Sequence, residues 1–77
     1  MELKQIATFT YRDGNTLIIY LNHEASDKKY AVYLYTDYHD YDTGYTEKDL
    51  RLMERYRRLE DCMVWITEWV KHYNIIG

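Results

Sequence analysis

Two short runs rich in β-branched and aromatic residues, Ile6 to Tyr11 and Thr16 to Asn22, flank the dipeptide Asp13-Gly14. No other feature restricts the fold as much. Asp and Gly accept the positive φ angles of a tight turn between antiparallel strands, so the segment reads as a β-hairpin. The second run alternates, with Leu17, Ile19 and Leu21 on one face and Ile18 and Tyr20 on the other. After a polar connector, His23 to Lys28, a third run places Tyr30, Val32, Leu34 and Tyr38 against Ala31, Tyr33 and Tyr35. Short connections between consecutive strands favour a meander.

The next segment changes character. Asp37, Asp40, Asp42, Glu47 and Asp49 stand against the single base Lys48. Thr46 followed by Glu47-Lys48-Asp49 reads as a helix N-cap, with the hydroxyl receiving a free amide and the acids complementing the helix dipole. No glycine or proline then intervenes before Gly77, which predicts one helix over about 47–75, roughly 40 to 45 Å long. Strands of about 20 Å would leave part of it overhanging, broken or packed on another chain. The predicted fold class is therefore α+β: a single domain over 1–77, with a three-stranded antiparallel meander (strands about 3–11, 16–22 and 29–38) and an acidic, Tyr-rich loop at 37–46. One long C-terminal α-helix packs on that sheet.

That helix would carry two stripes. Leu52, Tyr56, Leu59, Met63, Ile66, Val70 and Tyr73 recur every three or four residues and are assigned to the core. Beside them run Arg51, Arg55, Arg58, Cys62, Trp65, Trp69 and Ile76. One helix cannot turn both stripes into three strands, so the tryptophan flank either closes over a core edge or meets another chain. In the second case Arg55, Arg58, Cys62, Trp65 and Trp69 form an oligomer interface.

Composition narrows the function classes. At 77 residues, 47% of them hydrophobic, the chain is one small domain with no room for a deep catalytic cleft. No window approaches the roughly 20 apolar residues of a membrane span. The start lacks the pattern of a secretory signal, and the lone Cys62 cannot form an internal disulfide. The expectation is an intracellular, cytoplasmic protein away from membranes. His23, His39 and His72 are far apart in sequence, and neither a nucleophile elbow nor a phosphate loop is present. An EF-hand starting at Asp40 would need glycine and an acid where Tyr45 and Arg51 stand. No enzyme, metal or cofactor is expected.

Binding remains. Ten tyrosines supply rigid amphipathic rings of the kind that concentrate at interfaces. With one helix, the sheet covers only one side, and Ile18, Tyr20, Tyr33 and Tyr35 share the other. The loop adds carboxylates among rings, a pattern able to imitate nucleic acid and occupy a basic groove. The predicted partner-binding set is Tyr33, Tyr35, Asp37, Tyr38, Asp40, Tyr41, Asp42 and Tyr45. Arg51, Arg55, Arg57 and Arg58 beside exposed rings raise nucleic-acid binding as a further reading, opposed by the net charge of −3.

The expected function is a small acidic protein-binding module, a non-catalytic inhibitor or regulator that occupies a partner's surface. Its target is another protein, a nucleic-acid-binding host protein among the candidates. The alternatives are a homodimer built on the tryptophan flank and a single-stranded nucleic-acid binder. In size and charge the whole chain resembles the host-directed inhibitors made by phages and mobile elements, anti-CRISPR proteins included. That resemblance implies blocking of a nucleic-acid site or protein interface without catalysis.

Overall fold

The computed structural model describes residues 3–12 and 14–76, with side chains through residue 73. Four strands, β1 (Leu3–Arg12), β2 (Asn15–Asn22), β3 (Tyr30–His39) and β4 (Thr46–Tyr56), precede one helix, α1 (Leu59–Ile76). The strands form an antiparallel sheet in the order β1-β2-β3-β4, so the fold is α+β with four strands instead of the three expected. Gly14 turns the first hairpin at φ 81°, where a Cβ would lie 3.2 Å from the Asp37 carbonyl oxygen. Its own carbonyl accepts the Asp37 N–H at 2.8 Å. Asp13, the other half of the turn signal, lies outside the described residues.

The residues expected to open the helix form β4 instead. Lys48, Leu50 and Leu52 lie opposite Asp37, Tyr35 and Tyr33, while Glu47, Asp49 and Arg51 lie opposite Tyr38, Thr36 and Leu34. This is a period of two. Helix propensities differ by only a few tenths of a kcal/mol per residue. Pairing the free edge of β3 satisfies its backbone groups and sets two leucines against two tyrosines, which outweighs that preference. The register shifts between Val32 and Tyr33, which pair with Glu54 and Leu52 and leave Met53 as the extra residue of a bulge. The helix is thereby shortened to 18 residues, about 27 Å, and the overhang disappears. Glu60 and Asp61 occupy its first turn, the favourable end for acids.

Leu17, Ile19 and Val32 from the sheet meet Cys62 and Ile66 from α1 in the buried core, and Tyr30 and Leu34 pack against it. The facing expected for β2 and β3 is thus the one observed. The expected helix stripe holds only in part: Ile66 lies in the core and Tyr56 and Val70 pack against it, but the rest departs. Leu52 and Tyr56 belong to β4, and Leu59 and Met63 are 41% and 38% exposed, whereas Cys62 is fully buried. Trp65 and Trp69 pack against the core. A tryptophan carries roughly 150 to 250 Å² of burial, so a helix turned to cover its indoles gains more than one turned to cover Met63. The rings stack at 5.0 Å, Trp69 meets Tyr73 at 5.1 Å, and Tyr73 meets Tyr11 of β1 at 5.4 Å. The Arg12 guanidinium lies 5.8 Å from the Tyr73 ring centre.

Of the residues assigned to an oligomer interface, Cys62 therefore has no surface to offer another chain. Trp65 and Trp69 close over their own core, Arg55 lies on β4, and Arg58 lies in the β4–α1 connection. The Trp69 Nε1–H is buried with no hydrogen-bond partner among the described residues.

Candidate functional site

The side of the sheet away from α1 is built by alternation. Its central rows run Thr8, Ile18, Tyr33, Leu52 and Thr10, Thr16, Tyr35, Leu50, with Gln5, Tyr20, Ala31 and Arg55 alongside. Tyr20 and Tyr33 meet edge to face at 5.2 Å and 87°, and Ile18 between the strands is only 8% exposed. Leu50 and Leu52 are 51% and 40% exposed. The shortest Cα extent of the molecule is 15 Å, the thickness of one sheet and one helix layer. No described element covers this face.

Its charges are sorted by the same alternation. Lys48 and Arg55 share the face with Leu50 and Leu52 and lie opposite Asp37 and Ala31. The β4 acids Glu47, Asp49 and Glu54 lie opposite Tyr38, Thr36 and Val32, on the helix side. At one end a hollow of about 150 Å³ is lined by Leu3, Lys28, Lys29, Ala31, Tyr33 and Arg55, among others.

The acidic loop is shorter than the 37–46 expected, because Asp37, Tyr38 and His39 belong to β3 and Thr46 opens β4. It closes through the Asp40 N–H to the Tyr45 carbonyl at 2.7 Å and the Gly44 N–H to the Asp40 carbonyl at 2.8 Å. The Asp40 carboxylate accepts the Asp42 N–H at 3.0 Å, so this acid shapes the loop. His39 Nδ1 lies 2.7 Å from Thr46 Oγ1, and its ring meets Tyr41 at 4.4 Å. The expected partner-binding set is thereby divided. Tyr33, Tyr35 and Asp37 line the open face. Tyr38 and Tyr45, 6.3 Å apart, share a shallow cavity with Arg12 and Glu47 on the helix side. Tyr41 stands at the loop, 88% exposed.

Three of the four arginines proposed as a basic patch are paired: Arg51 with Asp49 at 3.6 Å, Arg58 with Glu60 at 3.6 Å, and Arg57 with Asp27 in a two-point contact at 2.6 and 3.0 Å. The Arg57 guanidinium holds the Asp27 carboxyl below its ordinary pKa. Arg55 makes no ion pair among the described residues.

Other features carry less chemistry. A groove of about 670 Å³ between β1 and α1 is lined by Phe9, Tyr11, Met63, Ile66 and Val70, with Lys71 beside them. Burial, followed by the Asp61 carboxylate, pushes the Cys62 thiol up to about 11, the opposite of a reactive cysteine. Among the described residues no group of three or more His, Cys, Asp or Glu could hold a metal ion. None of their helices is long and apolar enough to cross a membrane.

Leu50 and Leu52 are the site residues that sequence reasoning missed. The signal was present as the alternation Lys48, Leu50, Leu52 against Glu47, Asp49, Arg51. Comparison with protein-family models, curated proteins and solved structures finds no match to this chain.

Proposed function

We propose that this chain is a non-catalytic protein-binding module that occupies a partner's surface through the open face of its sheet. The observation that carries this reading is the contiguous patch of Ile18, Tyr20, Tyr33, Tyr35, Leu50 and Leu52, which no described element covers. A water-facing side of an antiparallel sheet ordinarily alternates to polar residues. Aromatic and leucine side chains held there by a rigid strand lattice are suited to anchor a partner with little loss of side-chain freedom. Tyr33 and Tyr35 act as anchors beside Asp37, and the loop with Tyr41 and Asp42 extends the contact beyond the end of β3. An inhibitor or regulator of the host-directed type needs such a face and no active site.

The test is capture of a partner by the intact chain and by the double variant Leu50→Gln, Leu52→Gln. Wild type should retain a defined partner that the variant loses by tenfold or more, with the same thermal unfolding midpoint within a few degrees. Equal capture by both proteins moves the site elsewhere. A sizing experiment on the same pair separates the homodimer: a dimer that the double substitution dissociates assigns the face to a second copy.

A further inference from the structure

We infer that the surface taken by the open face is a protein surface with an apolar centre and an acidic rim, an inference that rests on the docking reading above. The chain is acidic overall, at −3, but this face is not. Lys48 and Arg55 flank its leucines, Lys28 and Lys29 edge its hollow, and Asp37 is the single carboxylate in its register rows. The arginines divide in the same way. Off the face, Arg51, Arg57 and Arg58 each hold an acid and Arg12 lies over the Tyr73 ring, whereas on it Lys28, Lys29, Lys48 and Arg55 make no ion pair among the described residues. Asp27, next to Lys28, makes its two-point contact with Arg57 and also accepts the Lys28 backbone N–H.

Four cations around an apolar centre, with Asp37 opposite Lys48 as the one carboxylate in its register rows, leave the face net positive and call for carboxylates on the other side, because complementary rims steer and orient association. A second copy docked face to face would bring together two patches of the same net positive charge, since a two-fold interface presents the same patch twice. Single-stranded nucleic acid would also answer the charge, but it needs open ring planes. Tyr20 and Tyr33 turn edge to face on each other, Leu50 and Leu52 offer no plane to stack on, and Tyr35 by itself is not the row of rings that successive bases need. A protein surface uses both leucines and rim.

Three fluorescent probes test the inference on the intact chain: a helical peptide with a leucine stripe flanked by glutamates, the same peptide with lysine at each glutamate, and a short oligothymidylate. Affinities are measured by anisotropy at low and high salt, and contacts by amide chemical shifts. The glutamate peptide should bind about tenfold more tightly than the lysine peptide, the effect of a few exposed ion pairs. It should weaken with salt and shift the amides of Tyr33, Tyr35, Leu50 and Leu52. Lys48→Glu with Arg55→Glu should invert the preference, and Lys48→Gln with Arg55→Gln should abolish it without charge reversal. Equal affinities with shifts on the open face overturn the acidic rim and leave the docking reading standing. Shifts confined to other residues overturn both. Binding of neither peptide at millimolar concentration overturns the rim alone, because the capture experiment judges docking separately. Preferred binding of oligothymidylate replaces the protein partner with nucleic acid.

Discussion

Ile18 and Ile19 are neighbours on β2 that face opposite sides of the sheet, and they show how the two sides differ. Ile19 is fully buried with Leu17 and Val32 beneath Cys62 and Ile66 of α1. Ile18 is nearly as enclosed, at 8%, yet its cover is a ring of strand neighbours with no described element above them. One side is a finished core. The other has a comparable apolar centre without its second layer, and its exposed leucines and rim cations make it a surface prepared for a partner. The strands are shared, so backbone geometry is common to both sides. What separates them is where the chain places its single helix.

The largest test of that contrast is Ile19→Ala, which should cost about 2 to 4 kcal/mol by leaving a cavity under the helix. The open-face double variant Leu50→Gln, Leu52→Gln should cost less, about 1 kcal/mol, since both residues are already half exposed. Denaturant titration of the two proteins decides. Comparable losses would mean that the open face also serves as core, and the distinction would fail.

Cys62 sharpens the same comparison from the buried side. Its thiol should react with a chromogenic disulfide at least about a hundredfold more slowly in the folded chain than in denaturant. Because its folded pKa is raised from 9.0 to about 11, the unfolded chain releases this proton first. The contribution is complete below about pH 9 and is lost as pH rises towards 11, by roughly 1 to 2 kcal/mol. The variant Cys62→Ala should lack that part of the alkaline slope; an identical slope in both proteins would show that the thiol is not enclosed.

The smallest effect belongs to the exposed Arg57–Asp27 pair. Asp27→Asn should move the unfolding midpoint by about one or two degrees. A depressed carboxyl pKa stabilises above its unfolded value of about 3.8 and ceases to do so as pH falls through the lowered folded value. The difference between wild type and variant should therefore vanish in acid. A difference that persists at pH 2 would assign it to something other than this ion pair.

How much of this was legible without coordinates varied by element. β1 to β3 and the facing of Leu17, Ile19, Val32 and Leu34 follow from alternation and from Asp13-Gly14, which are local signals. Tyr33 and Tyr35 on the free side follow from the same alternation. The fourth strand was hidden because Thr46-Glu47-Lys48-Asp49 satisfies a helix start, and charged residues on both sides of Leu50 and Leu52 blurred the period of two. The helix phase was hidden for a different reason: a stripe of Leu59, Met63, Ile66 and Val70 and a stripe of Cys62, Trp65 and Trp69 differ by a modest rotation about the axis. Periodicity alone does not choose between them.

By itself the sequence determined the hairpin, the meander and the two-sided character of its central strands, because strand alternation and turn chemistry act between residues close in the chain. The tertiary structure alone decided that residues 46–56 join the sheet, that the indoles face inward, and that Lys48 and Arg55 part from the β4 acids, with which Arg51 stays. Those outcomes depend on the unpaired edge of β3 and on the area available to one helix, quantities that exist only once distant segments meet.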